Sequence, residues 1–121
     1  AVRETAKAYG LERSRYNGIV KAAQAGVPIA FGTDAGSPAV GHDVVVPELK
    51  FMVKLGVVPN NYAAIRSATA VSSRINRVEK KLGTLEPGKL ADVITVKGNP
   101  LADLDALQNV QMVYVGGRRL V

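Results

Sequence analysis

The chain has 121 residues, 47% hydrophobic and 21% charged, with a formal net charge of +6; this is the balance of one soluble globular domain large enough for a real core. It contains no cysteine, which excludes disulfides and thiolate metal ligands. No apolar run approaches the roughly 18 to 20 residues of a membrane span, and no basic-plus-apolar leader opens the chain, so the expected setting is cytoplasmic.

A helical piece is predicted around Val2, Ala6 and Tyr9, bent at Gly10. Residues 11–25 place Tyr16, Ile19, Val20 and Ala23 on one face and stop at Gly26, the pattern of an amphipathic helix with a glycine C-cap. Residues 27–31 are continuously apolar between Gly26 and Gly32, which predicts a short strand covered on both faces. Residues 35–43 are rich in glycine and small side chains and predict a loop. A helix starting near Pro47, with Glu48 in its first turn, carries Val46, Leu49, Met52 and Val53 on its apolar side and ends at Gly56. Another starts at Pro59 with Tyr62, Ile65, Ala68 and Thr69 on one side. A third begins near Ser72, with Ile75, Val78 and Leu82 as its stripe.

Beyond Gly83 the period changes from helical to extended. Pro87-Gly88 suits the centre of a type II turn, residues 91–96 and 110–115 read as strands, and Gly116-Gly117 is a tight-turn signal before residues 118–121. The composition shift divides the chain into residues 1–82 and 83–121. The expected fold class is α/β.

The basic residues are mostly scattered, and the one local concentration is Arg74, Arg77, Lys80 and Lys81. With six aromatic residues in the chain and none interleaved with these cations, no base-stacking surface is indicated, and the four read as a solvated face rather than a nucleic-acid site. Gly32, Gly36 and Gly41 form neither a P-loop nor a dinucleotide fingerprint. Serines, acids and one histidine are present, yet nothing in their spacing argues for a Ser-His-Asp set.

Asp34 is the residue that stands out. An apolar run that ends at Gly32-Thr33-Asp34 puts a carboxylate where α/β barrels keep their functional groups, at the C-terminal end of a strand. A bland role remains open from pattern alone, because acids in glycine loops commonly satisfy backbone N–H groups.

Four blocks occur in order: GVPIAFGTDAG (26–36), AAIRSATAVSSRI (63–75), LGTLEPGKLADVITVKGNPLAD (82–103) and VYVGGRRL (113–120). Together they resemble the C-terminal portion of the metal-dependent amidohydrolases, in the imidazolonepropionase-like and Xaa-Pro-dipeptidase-like branch. The resemblance implies a (β/α)8 TIM barrel with one or two divalent metals, usually zinc, at the C-terminal strand ends. Asp34 then corresponds to the strand-8 aspartate, a metal ligand and the general base that takes a proton from the attacking water and passes it to the leaving nitrogen. The only histidine, His42, lies in the loop where that branch carries a histidine near the substrate; here Asp43 follows it in place of the usual glycine, so the match is partial. Asp92 belongs to the family pattern and is expected to set turn or strand-edge geometry, without a catalytic role.

A zinc site needs about three or four nitrogen, sulfur or carboxylate ligands and catalytic ones usually take histidines, of which this sequence offers one, with no cysteine. The family's His-x-His, its bridging lysine and its later histidines have no counterparts here. The expectation is therefore the last β/α unit of the barrel in residues 1–82 and the C-terminal part of a small β-sandwich in residues 83–121. The activity implied for the full-length parent is hydrolysis of a C–N bond in a cyclic amide, N-acyl amine or dipeptide, with the isolated chain inactive. Its apolar surfaces would favour a homo-oligomer, strand exchange, a compact α/β rearrangement, or association with the missing barrel portion. Two alternatives are a non-catalytic oligomeric remnant and a basic nucleic-acid or anion-binding module.

Overall fold

The computed structural model describes residues 13–38 and 40–121, so the piece expected around Val2, Ala6 and Tyr9 lies outside the described residues. Helix α1 spans Arg13–Gln24, and α2 spans Val45–Lys54 after a single 3-10 turn at His42–Val44. A rod follows, made of α3 (Asn61–Arg66), a π-helical turn (Ser67–Val71) and α4 (Ser72–Ile75). Strands β1 (Val93–Val96), β2 (Val110–Val115) and β3 (Arg118–Arg119) form an antiparallel sheet in that order, with a 3-10 turn at Leu104–Gln108 between the first two.

Three of the helix ends are built alike. After α1, Val27 N–H reaches back to the Ala22 carbonyl at 3.0 Å and Gly26 N–H to Ala23 at 3.0 Å, with Gly26 at φ 84°. After α2, the same paired bonds run from Val57 to Met52 and from Gly56 to Val53, with Gly56 at φ 73°. After α4, they run from Val78 to Ser73 and from Arg77 to Arg74, and here a non-glycine, Arg77, takes the left-handed position at φ 59°. Each satisfies two carbonyls that the helix end would otherwise leave without a partner.

The core belongs to α2 and its neighbours. Val46, Leu49 and Met52 from α2 pack with Val57, Val58, Ala64 and Leu104, while Val20, Ile29 and Phe31 close the margin. Tyr16 of α1 meets Phe51 of α2 edge to face at 5.4 Å between ring centres. The Leu104–Gln108 turn, which the sequence pattern did not predict, thus ties the sheet to the helices. Its start is capped by the Asp103 carboxylate, which accepts the Asp105 N–H at 2.9 Å, and Lys50 on α2 pairs with Asp105 at 2.6 Å.

Three expectations are corrected. Residues 27–31 form no regular secondary structure and belong to no sheet among the described residues; Val27 is exposed, and Ile29 and Phe31 are half-buried. A ladder needs a facing strand, the three strands of the sheet pair with one another, and Pro28 has no N–H to offer. The helix expected from Pro59 begins at Asn61, because Asn60 serves as its N-cap and accepts the Ala63 N–H at 2.9 Å. Its buried side is Ala64, Ser67 and Ala70 rather than the stripe through Tyr62 and Ile65, since small residues let the rod lie close against α2. The segment from Ser72 is a continuation of that rod, and Ile75 is left 55% exposed.

The C-terminal expectations agree with the structure more closely. Gly116 (φ 56°) and Gly117 (φ 81°) make the β2–β3 hairpin turn, and Gly88 is at φ 88° beside Pro87. Asp92 accepts the Gly116 N–H at 2.7 Å through Oδ1, which is the turn-setting role expected of it.

Candidate functional site

The site is built from the end of the apolar run and the loop after it. Phe31 N–H donates to the Ser67 carbonyl at 3.1 Å, and this bond docks the run against the helical rod. Ser67 O is also reached by the Ser72 hydroxyl at 2.7 Å, within the π-helical turn. A π turn disturbs the regular i→i−4 ladder, and here the Ser67 carbonyl accepts from outside the helix as well as from the Ser72 side chain. The local irregularity of the rod therefore provides the acceptor that holds the run.

Three residues further on, Asp34 lies exposed in the left-handed region at φ 54°. The Thr33 hydroxyl accepts the Ala35 N–H at 3.1 Å, and the Asp34 carbonyl accepts the Ser37 N–H at 3.3 Å. Gly36 N–H to the Val40 carbonyl at 2.9 Å and Val40 N–H to Ser37 at 3.0 Å close the loop. His42, at the start of its 3-10 turn, is exposed, and its imidazole lies beside Gly36: a Cβ there would sit 3.7 Å from its Cε1. Asp43, the departure from the family pattern, turns its carboxylate onto Gly41, where a Cβ would come within 2.6 Å of Oδ1. Asp34 and His42 thus share one short loop, with no hydrogen bond between them.

Among the described residues, no group of three or more histidine, cysteine, aspartate or glutamate side chains comes together to hold a metal ion. A catalytic zinc site takes three protein ligands and an open position. Asp34, His42 and Asp43 share this stretch of chain but do not come together as a ligand set, so the donors described do not fit a complete metal centre. The carboxylate can still act as a proton acceptor or as a single ligand.

Other titrating groups lie away from the loop. Glu48, in the first turn of α2, is half-buried and its pKa is raised by burial. Glu86 is lowered by the hydrogen bond from the Thr84 hydroxyl and then by Lys89. A groove of about 580 Å³ runs between the rod and residues 78–85, lined by Ile65, Thr69, Ser72, Leu82, Leu90 and Asp92. It includes neither Asp34 nor His42, and its one carboxylate is already engaged with Gly116. The four cations expected on a solvated face, Arg74, Arg77, Lys80 and Lys81, are exposed. No helix among the described residues is long and apolar enough to cross a membrane.

The sequence singles out Asp34 and His42 as candidates, whereas the hydrogen bonds of the Thr33 hydroxyl and the Ser67 carbonyl come only from the structure. Thr33 carried a usable signal, since a threonine two residues before a free N–H in a glycine loop forms a side-chain turn. The Ser67 carbonyl carried none, because a π turn leaves no mark in hydrophobic periodicity.

Residues 2–120 match the model of the Amidohydrolase family. The chain is similar to a 5-methylthioadenosine/S-adenosylhomocysteine deaminase of Teredinibacter turnerae, with 38% identity over 100 residues, covering 75% of this chain and 22% of the deaminase. Among solved structures it is similar to a Xaa-Pro dipeptidase with methionine bound in the active site, at 44% identity and a TM-score of 0.75 over 86% of this chain and 25% of the other. A. niger ochratoxinase aligns at 32% identity and a TM-score of 0.75, over 94% of this chain and 26% of the other. The chain therefore spans about a quarter of the length of these relatives.

Proposed function

This chain belongs to the amidohydrolase family, and from that premise we propose that it is the C-terminal part of a metal-dependent hydrolase acting on C–N bonds. Residues 1–82 supply the last β/α unit of a (β/α)8 barrel and its trailing helices, and residues 83–121 the C-terminal part of a small β-sandwich. The substrate class is a cyclic amide, N-acyl amine or dipeptide, in keeping with relatives described as a Xaa-Pro dipeptidase and an ochratoxinase.

Asp34 is the general base. Its carboxylate removes a proton from the attacking water as the C–O bond forms, then delivers that proton to the leaving nitrogen as the C–N bond breaks. Asp34 is also the one metal ligand this chain contributes; the other donors come from elsewhere in the parent, where a divalent metal, zinc by resemblance, would supply Lewis-acid activation of the scissile carbonyl. His42, on the same loop, contacts the substrate. The observation that carries this reading is the exposed Asp34 carboxylate at the end of a run docked by Phe31 onto the rod.

The test has two parts. The untagged 121-residue chain is expected to hold well under one metal per chain by plasma mass spectrometry and to release no proline from Xaa-Pro dipeptides. In the parent enzyme, Asp34→Asn is expected to lower kcat by about 10²- to 10⁴-fold, the size of a general-base contribution. Unchanged turnover in that variant would remove Asp34 from the mechanism.

A second reading, a non-catalytic oligomeric remnant, is favoured by one feature. Ile94, Val115 and Leu120 share one face of the sheet and are each more than half exposed. Concentration-dependent association in sedimentation, unchanged by Asp34→Asn and accompanied by no turnover in the parent, would favour it.

A further inference from the structure

Two non-glycine residues among those described adopt positive φ, Asp34 at 54° and Arg77 at 59°. Arg77 is accounted for by the helix end it closes, where Val78 and Arg77 both bond back into α4. Asp34 is not at a helix end, so something else must hold it there. The peptide unit joining Asp34 to Ala35 is bonded on both edges: its C=O accepts from Ser37 N–H and its N–H donates to the Thr33 hydroxyl. A peptide plane fixed at both edges leaves ψ of Asp34 little freedom, and the backbone sets the direction in which the side chain leaves it.

We infer that Thr33 is a positioning residue: its hydroxyl, by accepting the Ala35 N–H, holds Asp34 in the left-handed conformation that aims its carboxylate. The inference rests on the reading of Asp34 as the general base, and it adds a residue to which neither composition nor motif assigned a part. Thr33 touches neither substrate nor reacting atoms in this account. Its hydroxyl is what counts, so serine can replace it and valine, its isostere, cannot.

The experiment is NMR on the labelled chain with Thr33→Val and Thr33→Ser. A left-handed residue brings its own amide and α protons close together, and Asp34 in the parent sequence should show the strong intraresidue cross-peak that follows. Thr33→Val is expected to weaken that cross-peak and to raise amide exchange at Ala35 about tenfold, the scale of one lost hydrogen bond, with the α2 amides unchanged. Thr33→Ser is expected to keep both. A double-mutant cycle with Asp34→Gly separates positioning from simple bonding, because glycine enters the left-handed region without help. The cost of Thr33→Val should shrink in the glycine background, and an equal cost in both backgrounds would overturn the inference. So would an undiminished cross-peak in Thr33→Val. If Thr33→Val fails to fold, refolding of Thr33→Val/Asp34→Gly supports the inference and its failure to refold counts against it. In the parent enzyme, kcat on a Xaa-Pro dipeptide should fall about tenfold with KM unchanged and recover in Thr33→Ser. A parent with no such turnover speaks against the proposed reaction and leaves the backbone result to decide the role of Thr33.

Discussion

The helical half of the molecule buries a core, whereas the three strands of its small sheet bury none of their residues. Val46, Leu49, Met52, Ala64 and Leu104 are all buried within this one chain. The sheet leaves Ile94, Val115 and Leu120 more than half exposed, and the 27–31 run is bonded to the rod through a single backbone bond, from Phe31 to Ser67. An amphipathic helix satisfies its own backbone and needs only a neighbour for one stripe, whereas strands need partners along their edges as well as over their faces. The helices also keep apolar residues at the surface, Ile19, Tyr62 and Ile75 among them, so what separates the two regions is the buried core on one side and its absence from the strands on the other.

Substitution of paired sites sharpens that contrast most. Leu49→Ala, at a site 2% exposed, is expected to cost about 2–5 kcal/mol in chemical denaturation, because it opens a cavity in the only layered core described. Ile94→Ala, at a site 51% exposed, should stay within about 0.5 kcal/mol. Equal costs would break the comparison and show the sheet face to be covered in solution. Next in size is Gly83→Ala. At φ 94° with Ser73 Oγ and the Thr69 carbonyl against it, Gly83 has no room for a methyl group, and a loss of about 2–4 kcal/mol is expected. Gly88→Ala, at φ 88° in open space, tests strain alone and should cost about 1 kcal/mol.

The same contrast explains what could be read from the sequence. The α1 and α2 stops were legible because Gly26 and Gly56 are the residues a left-handed cap favours; the α4 stop was not, because there an arginine, Arg77, takes the same left-handed position with the same paired bonds back into the helix. The stripe Val46, Leu49, Met52 was legible because one strong period of 3.6 dominates it. In the rod the buried positions are Ala64, Ser67 and Ala70, and small or polar side chains score poorly in any hydrophobic pattern. Close approach, rather than hydrophobicity, decided that face. The 27–31 run shows the opposite error: its composition predicts full burial, but composition reports what a segment can bury against and not whether the partner is present. At the candidate site, the end of an apolar run points to Asp34 and the family resemblance to His42, while the role of Thr33 rests on the peptide geometry around Ala35.

The smallest expected effect concerns the link between the two halves. Asp105 on the 3-10 turn has its pKa lowered chiefly by the hydrogen bond from Lys50, and Lys50 has its own raised by the same bond. A lowered carboxyl contributes stability that is present at neutral pH and lost as the pH falls through the acid range. A raised ammonium contributes stability that is lost only as the pH rises past the ordinary lysine range. Glu48 works against the first of these: raised by burial, it contributes most when protonated, and that contribution is lost as the pH rises through its raised pKa. Asp105→Asn should therefore flatten the loss of thermal stability toward acid, and Glu48→Gln should steepen it, both measured as Tm from about pH 3 to pH 7. Because Lys50 and Asp105 are both half exposed, salt should erase much of the Asp105 effect and little of the Glu48 one. An Asp105 effect that survives salt would mean that the Lys50 contact acts as a hydrogen bond shielded from the solvent and not as an exposed, screened ion pair.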